Sequence, residues 1–350
     1  MNKKGIERYN RYSIIVPSYN RRDEIEELLQ SFLFLEFNSD RLELIIADDG
    51  SEDDTESLVK KYNERLPFPV LFCRQENKGP GAARNMGMEK ASGDFYIFLD
   101  SDCTVPPDWL QNIDRNLHHY QADAFGGRDS FRPDFPDQLK AINYSMTSFI
   151  TTGGLRGRKG KKLAKFYPRS FNMGLSRSLA EKIGGFGSLR HGQDIEYSHR
   201  IIKSGARIIY IDESVVYHKR RTSIKKFFRQ VFNWGVARIN LFKIDSSMLE
   251  PLHAAPAAVT ILTLILILFS IFSSTVWSLF RWLLLAGVII LFLSGVHAAF
   301  KYRSLRMLYL VPVIMPIQIF GYGLGFISAY FYRVILGRPE FTGFHKKYYH

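Results

Sequence analysis

The sequence predicts an α/β fold, a doubly wound and mostly parallel sheet with flanking helices, followed by C-terminal transmembrane helices. Short apolar runs alternate four times with helical patterns within about ninety residues. The 350-residue chain is 46% hydrophobic, and its last hundred residues hold three long uncharged runs. Because 23% of the residues are charged, neither a disordered nor a purely membranous chain fits the composition.

The first half of the fold is predicted from its apolar runs. Four buried parallel strands are expected at residues 12–16, 42–47, 70–72 and 95–99. Asp23 followed by Glu26 predicts a capping box at the start of the first helix. A second helix follows the cap cluster at residues 51–54, and a third is expected at residues 82–91. A sheet of this kind has its ligand crevice at the carboxyl ends of the strands.

Polar or glycine-rich segments follow each predicted strand, at residues 17–20, 48–51, 77–85 and 100–102. Each alone has a simpler explanation, since Asp-Gly-Ser is a common turn and aspartates often cap helices. Their convergence on one edge is more informative. Paired aspartates suit a hard divalent cation, and glycines at a helix N-terminus beside basic residues suit an anionic nucleotide. This edge therefore predicts a nucleoside diphosphate bound with Mg²⁺ or Mn²⁺.

With these segments the sequence resembles the inverting family 2 glycosyltransferases, which have the GT-A fold. The resemblance runs from about residue 13 to residue 218 and rests on five ordered motifs: Val16-Pro17-Ser18-Tyr19-Asn20, Asp48-Asp49-Gly50-Ser51, Lys78-Gly79-Pro80-Gly81-Ala82-Ala83-Arg84-Asn85, Asp100-Ser101-Asp102, and Gly184-Gly185-Phe186 leading to Gln193-Asp194. It implies a membrane-anchored enzyme that moves a sugar from a UDP- or GDP-linked donor to an acceptor.

The resemblance implies a role for each matching residue. The donor would be bound by Pro17, Tyr19, Asn20, Asp49, Lys78, Gly79, Gly81, Arg84 and Asp100. Asp102 would reach the metal, and His218 resembles a histidine that some relatives use there, although a strand-end or interfacial histidine is an equal alternative. Asp194 would be the general base. Glu196 is a rival base, because this chain has Gln193-Asp194 where many relatives have Glu-Asp.

Two other functions are weighed against single-sugar transfer. The run Gln230-Val231-Phe232-Asn233-Trp234 resembles the Gln-x-x-Arg-Trp signature of processive polysaccharide synthases, with Asn233 in place of arginine. Only two or three spans are expected, and none of them precedes the domain. This is a small number of helices from which to build a polymer-conducting channel, so processive synthesis is the less favoured alternative. The other alternative is a non-catalytic sugar-nucleotide-binding membrane subunit. A dehydrogenase is disfavoured because the third glycine of its fingerprint is missing.

The C-terminal region predicts the membrane segments. A span needs about 20 apolar residues, and residues 254–276 and 282–300 meet that requirement. In the third run, residues 307–332, two prolines and three glycines allow either a kinked span or a re-entrant hairpin. The hairpin is the preferred prediction because it keeps the C-terminal basic residues on the inner face. The predicted domains are a catalytic domain at 1–220 (halves about 1–105 and 106–220), an amphipathic interfacial helix at 221–250, and a membrane region at 251–350.

The formal charge of +13 is unevenly distributed. Residues 156–169 carry seven Lys or Arg and residues 219–229 carry six, whereas the remainder of residues 1–250 is net acidic. A nucleic-acid binder would have a basic face across its whole domain. Because the positive charge lies in separate stretches here, membrane lipids are the expected anionic partner. The glycine-rich 151–169 stretch reads as a loop on the acceptor side, either solvated or gripping a phosphate.

The expected location follows from the spans and from the termini. Two cysteines are too few for a disulfide framework, and the N-terminus lacks an apolar signal core. The prediction is a multi-pass protein of the cell inner membrane with a cytoplasmic catalytic domain. A lipid-linked or cell-envelope glycan is the expected acceptor.

Overall fold

The computed structural model describes residues 9–130, 135–152, 167–218 and 223–344. These residues form two compact units. The first contains the described residues up to 130 together with 167–218, and the second contains 135–152 and 223–344. The predicted domain boundaries did not foresee that residues 135–152 would join the C-terminal unit.

The first unit contains one mixed sheet of eight strands in the order β3-β2-β1-β4-β7-β6-β8-β5. The strands are β1 Tyr12–Ser18, β2 Leu42–Asp48, β3 Val70–Arg74, β4 Phe95–Leu99, β5 Cys103–Thr104, β6 Ala124–Ser130, β7 Asn172–Ser176 and β8 Ile208–His218. Strands β1 to β4 are mutually parallel, which confirms the four predicted strands. Strand β7 pairs antiparallel with both β4 and β6, so the second half of the sheet is mixed.

Helices cover both faces of this sheet. They are α1 Arg22–Phe32, α2 Thr55–Asn63, α3 Pro80–Lys90, α4 Trp109–Tyr120, α7 Arg177–Ile183 and α8 Gln193–Lys203. Side chains of β1 alternate between two apolar clusters, with Ile14 and Val16 in one and Ile15 in the other. A strand whose two faces are both covered must be apolar throughout, and β1 is fully buried.

The predicted capping box of the first helix is wrong. Helix α1 begins at Arg22, and its N-cap residue, Arg21, makes no side-chain cap. The Asp53 carboxylate, which lies just before α2, instead accepts the Arg22 backbone N–H at 2.9 Å. Asp23 and Glu24 lie in the first turn, where acidic side chains favour the helix dipole without capping it.

Glu43 on β2 gives the first unit a pH-dependent stability. Its carboxylate accepts from the Ser13 hydroxyl at 2.5 Å and from the Ser92 hydroxyl at 2.8 Å, and it pairs with Arg11 at 3.3 Å. Burial acts to raise the pKa of Glu43, but hydrogen bonds from Ser13 and Ser92 outweigh it and hold the pKa below its ordinary value of 4.5. The stabilisation is therefore present above pH 4.5 and is lost as the pH falls through the lower folded-state pKa.

We expect Glu43→Gln to lower the free energy of unfolding by about 1–3 kcal/mol at pH 7, because a charge-assisted hydrogen-bond set is weakened. The difference from wild type should shrink below pH 4. Thermal unfolding of the detergent-solubilised chain across pH measures both effects. The exposed Glu89→Gln is the matched control, and an equal loss at pH 7 and at pH 3.5 would contradict the assigned role.

The second unit is helical. Its helices are α5 Asp137–Thr147, α6 Phe149–Thr152, α9 Ile224–Ile244, α10 Pro251–Ser270, α11 Ser274–Tyr302 and α12 Met307–Tyr330, and a π-helical turn, Phe331–Ile335, continues α12. By length and composition, three segments can cross a membrane: Pro251–Ser270, Ser274–Tyr302 and Met307–Ile335. The large exposed side chains of α10 and α11 are mostly apolar.

The third apolar run forms one helix, not the predicted re-entrant hairpin. Pro312 and Pro316 lie inside α12 without ending it. The glycines serve close helix packing instead of a turn. An added Cβ at Gly321 would lie 2.7 Å from the Val231 side chain, and one at Gly323 would lie 2.6 Å from the Pro256 carbonyl oxygen. Small residues allow membrane helices to approach in this way.

Helix α9 is the segment predicted to be an interfacial amphipathic helix, and at helical spacing its apolar face consists of Ile224, Phe227, Phe228, Val231 and Phe232. In the structure Phe227 and Val231, which belong to that face, are fully buried, and α9 packs along α12. Gly321 and Gly325 of α12 lie against this face. The apolar spacing therefore reflects a protein contact within the second unit, while Lys225, Lys226 and Arg229 stay exposed.

Asn233, which stands where the processive signature has arginine, holds the chain's own C-terminal segment. Its Oδ1 accepts the Phe344 N–H at 3.4 Å and lies against Gly343. One helical heptad later, the Asn240 side chain donates to the Phe341 carbonyl oxygen at 2.9 Å. The Phe344 ring packs on Phe232, with ring centroids 4.7 Å apart.

Gly325→Val is expected to disrupt the contact between α9 and α12. An added Cβ at Gly325 would lie 2.8 Å from the Phe232 carbonyl carbon and in closer contact with its oxygen, and this backbone cannot move aside as a side chain can. Overpacking of this kind costs about 1–3 kcal/mol or more. Thermal unfolding of the purified chain should shift downward, whereas Gly287→Val, where an added Cβ meets no atom within 4 Å, should not. Equal stability of the two variants would contradict the assigned packing.

Candidate active site

The carboxyl ends of β1 and β2 lie side by side, with Ser18 opposite Asp48. The Asp49 N–H donates to the Ser18 carbonyl oxygen at 2.8 Å. Asn20, with φ +49°, bridges the two following loops: its N–H donates to the Ser51 hydroxyl and its Oδ1 accepts the Glu52 N–H, each at 2.8 Å. The first two motifs therefore form one rim, along which Pro17 is buried and Tyr19 half-buried.

The two neighbouring aspartates of the second motif shape different loops. Asp48 accepts the N–H groups of Gly50 and Ser51 within its own turn. The fully buried Asp49 accepts the N–H groups of Lys78 and Gly79 at 2.9 and 2.7 Å. Its predicted role in binding the donor stays a prediction. The structure adds that Asp49 fixes the segment at residues 77–81, here called the glycine loop, through the backbone of that segment.

The glycine loop opens α3. Gly79, at φ +94°, is its N-cap, and Pro80 follows in the first turn. Gly81 lies against Gln193, since an added Cβ would come within 2.7 Å of the Gln193 Oε1. Lys78 is exposed beside the loop. Thus the glycine loop and the first residue of α8, more than a hundred positions apart in sequence, are in contact.

Arg84 of α3 connects the glycine loop to the end of β4. Its guanidinium donates to Asp100 Oδ1 at 2.6 Å and lies over the Phe186 ring, 5.4 Å from the centroid. Arg84 is only 5% exposed, and among the described residues its Nε has no hydrogen-bond partner. Asn85 holds the Phe186 loop through both its amide atoms, at 2.7 and 3.0 Å.

Asp102 lies in the turn between β4 and β5. Strand β5 pairs with the end of β8, with Cys103 opposite His218, so Asp102 immediately precedes the strand residue that pairs with His218. The side chain of His218 lies outside the described residues. Burial raises the pKa of the Cys103 thiol well above its ordinary value, and Asp102 and Asp100 add to this. A thiol held protonated in this way is a poor metal ligand.

Within the described residues no group of three or more His, Cys, Asp or Glu side chains is arranged to hold a metal ion. Asp100 and Asp102 nevertheless provide hard carboxylate oxygens at the strand end. Mg²⁺ is usually bound by one or two carboxylates together with substrate phosphates and water, not by an all-protein cage. The donor set therefore fits a divalent cation that arrives with a diphosphate.

The two rival bases lie in the first turn of α8, which follows Gly192 at φ +86°. Glu196 is bound by Arg200 through two contacts of 2.6 and 2.9 Å, and Arg200 also donates to the carbonyl oxygens of Ile183 and Gly185. Glu196 therefore secures the Gly184-Gly185-Phe186 loop. Asp194 pairs with Arg169 through Oδ2 alone, at 3.1 Å.

Arg169, Asn85 and the Gln193–Gly81 contact were missed from the sequence. The motifs contain Asn85 and Gln193, but only the folded chain shows what they touch. Arg169 lies in the basic 156–169 stretch, whose charge suggested a loop and not a partner for the base.

Comparisons with known proteins agree with this geometry. Glycosyl transferase family 2 matches residues 13–184. Glycosyl transferase family 21 matches residues 148–340, more than half of the chain. Among solved structures, the chain is similar to the mannosyltransferase PcManGT from Pyrobaculum calidifontis in complex with GDP-Man and Mn²⁺, with a TM-score of 0.61 and 21% identity over 91% of this chain and 87% of that one. At this identity the likeness shows a shared fold.

Curated relatives carry the same activity in their names. The glycosyltransferase AglE of Haloferax volcanii is 25% identical over 66% of this chain and 77% of its own length. The poly(ribitol-phosphate) beta-N-acetylglucosaminyltransferase TarS of Staphylococcus aureus is 33% identical over 33% of this chain, but the match spans only 20% of TarS. With two glycosyltransferase families matched across residues 13–340 and the family 2 motifs gathered at one sheet edge, the chain belongs to the family 2 glycosyltransferases.

Proposed function

We propose that the chain transfers one sugar, or a few, from a nucleoside-diphosphate donor to a hydroxyl of a lipid-linked or cell-envelope glycan, with the catalytic unit at the cytoplasmic membrane face. The contact between Gly81 and Gln193 carries this proposal. It brings the glycine loop that suits a diphosphate against the helix turn that bears Asp194. A carboxylate that can accept a proton and the glycine loop are thereby adjacent within one compact unit.

The chain's own residues can perform a single displacement. Asp194 Oδ1 removes the proton of the acceptor hydroxyl, and the hydroxyl oxygen forms a bond to the anomeric carbon as the bond from that carbon to the diphosphate oxygen breaks. The electron pair leaves with the nucleoside diphosphate, and the anomeric configuration inverts. One carboxylate suffices because no covalent sugar intermediate forms.

The donor side would be held by the rim residues, the glycine loop and Asp100, with Asp102 and His218 as the residues toward a divalent metal. When bound, such a metal neutralises charge on the departing diphosphate. Support for the metal and for a nucleotide-linked donor comes from the similar Pyrobaculum enzyme, which was solved with GDP-Man and Mn²⁺. TarS, named as an N-acetylglucosaminyltransferase, supports sugar transfer alone.

The proposed lipid-linked or cell-envelope acceptor is inferred from the membrane segments and the basic stretches. Three helices long enough to cross a bilayer suggest membrane association. Lys301 in the last turn of α11, and Arg303 and Arg306 in the turn between α11 and α12, favour placement of this end on the cytoplasmic side. Processive synthesis gains no support, because Asn233 is engaged with the C-terminal segment instead of being open to a polymer.

A donor screen tests the proposal. The purified full chain in detergent is incubated with UDP- and GDP-sugars, with Mg²⁺, Mn²⁺ or EDTA, and release of nucleoside diphosphate is measured in the presence of membrane lipid extract. We expect release from one donor class, stimulated by the extract and stopped by EDTA. A chain that binds donors but releases no nucleotide under any of these conditions would be a binding subunit, which would refute the proposal.

A further inference from the structure

Residues 167–169 pack along one side of α8. The Ser198 hydroxyl, fully buried, donates to the Pro168 carbonyl oxygen at 2.5 Å. The Tyr167 ring stacks on His199, with centroids 6.4 Å apart. Arg169 then reaches the first turn of the helix and donates to Asp194. The backbone that carries Arg169 is thereby fixed at two further points, so its guanidinium is presented at one place.

The first turn of α8 bears two carboxylates with different arginine partners. Arg200 takes both oxygens of Glu196, whose side chain is 13% exposed. Arg169 takes only Oδ2 of Asp194, and both of these side chains are 25% exposed. Among the described residues Oδ1 of Asp194 has no hydrogen-bond partner. The first pair is closed to a substrate, and the second keeps one oxygen open.

A lone carboxylate on the first turn of a helix rotates broadly about its terminal torsion. A general base must instead direct one oxygen at the hydroxyl proton, and a misplacement of about 1 Å costs about 100-fold in rate. A guanidinium held by its own backbone and bonded to the other oxygen removes that rotation. It also remains a favourable partner throughout proton transfer, because Oδ2 keeps its hydrogen bond while Oδ1 takes the proton.

We propose that Arg169 is a positioning residue for the transfer reaction: it fixes the Asp194 carboxylate through Oδ2 and leaves Oδ1 to receive the acceptor proton. This inference rests on the proposed function. It assigns to the end of the basic 156–169 stretch a role in the rate of transfer, distinct from donor binding. The donor-side contacts of Asp49, Arg84 and the glycine loop do not involve Arg169.

The test compares Arg169→Ala and Arg169→Lys with wild type in the full chain. The readouts are kcat and acceptor KM for transfer, and the Kd of the nucleoside diphosphate. We expect Arg169→Ala to lower kcat about 10- to 100-fold, with acceptor KM and nucleotide Kd changed less than about threefold. Arg169→Lys should recover part of the rate, and added guanidinium ion should raise the rate of Arg169→Ala but not of wild type. Arg115→Ala, which loses only a contact to Asn112 on α4, is the matched control.

Each other outcome is decisive. An unchanged kcat in Arg169→Ala would overturn the inference. A higher acceptor KM at constant kcat would make Arg169 an acceptor ligand instead. A rate that neither lysine nor guanidinium restores, with nucleotide binding also lost, would show a structural role. If wild type itself transfers no sugar, the proposed function fails, and the inference fails with it.

Discussion

Asp194→Asn is expected to lower the rate of sugar transfer by about 10²- to 10⁴-fold, the usual contribution of a positioned general base. The amide keeps the shape of the side chain but cannot accept the acceptor proton. Nucleotide binding should persist, because the donor-side contacts of Asp49 and Arg84 do not involve Asp194. Rates of transfer and the Kd of the nucleoside diphosphate, measured on the same preparations, separate the two effects.

Glu196→Gln is the comparison that decides between the rival bases. The glutamine loses the charge that pairs with Arg200, so a lower thermal stability and a looser Gly184-Gly185-Phe186 loop are expected. Transfer should continue, though more slowly than in wild type. Near-normal transfer in Asp194→Asn together with abolished transfer in Glu196→Gln would reverse the assignment and make Glu196 the base.

Asp102→Asn is expected to have the second large effect. Metal neutralisation of a leaving diphosphate contributes several kcal/mol, which corresponds to about 10²- to 10³-fold in rate. Removing the carboxylate charge should raise the metal concentration needed for half-maximal nucleotide release and lower the rate at saturating metal. A titration with Mn²⁺ measures both quantities.

The control for Asp102 is Asp23→Asn, which changes an exposed carboxylate in the first turn of α1. Its metal titration should overlay that of wild type. An Asp102→Asn variant with the wild-type titration curve would place the metal elsewhere, and activity that is insensitive to EDTA in both proteins would remove the metal from the proposed reaction.

The first half of the fold could be predicted from the sequence because β1 to β4 are continuous apolar runs with buried faces. The later strands were harder to foresee. Strand β6 reads Ala-Phe-Gly-Gly-Arg-Asp-Ser and β5 has two residues, so neither has a hydrophobic pattern of its own. Their pairing depends on tertiary contacts. For example, the Asn172 side chain donates to the carbonyl oxygen of Arg128 on β6 at 3.2 Å.

In the second unit, the sequence pattern does not reveal which helices will be in contact. Helix α5 carries Tyr144 and Ser145, and neither residue indicates a contact with α11 or α12. Tyr144 is 2.8 Å from the His297 Nδ1, and the Ser145 hydroxyl donates to Gln318 at 2.8 Å. Prolines and glycines suggested a break in α12, yet the glycines are contact points for α9 and α10. Sequence shows which residues are small or polar, but not which neighbour will use them.

The sequence motifs predicted which residues belong to the candidate site, but they did not predict the side-chain contacts between those residues. The sequence locates Asp49, Arg84, Asp102 and Asp194 at strand ends and helix starts. That Asp49 holds the glycine loop by its backbone, or that Glu196 is occupied by Arg200, depends on side-chain directions that become visible only in the fold. These contacts give the two acidic residues of α8 different chemistry.

The anomeric configuration of the transferred sugar reports whether transfer is a single displacement with Asp194 as the base. Product formed by the full chain from an α-linked nucleotide sugar is isolated, and the coupling constant of its anomeric proton is read by NMR. A single displacement driven by one base predicts a β-linked product. An α-linked product would require a second displacement, and would contradict the single displacement with Asp194 as the base.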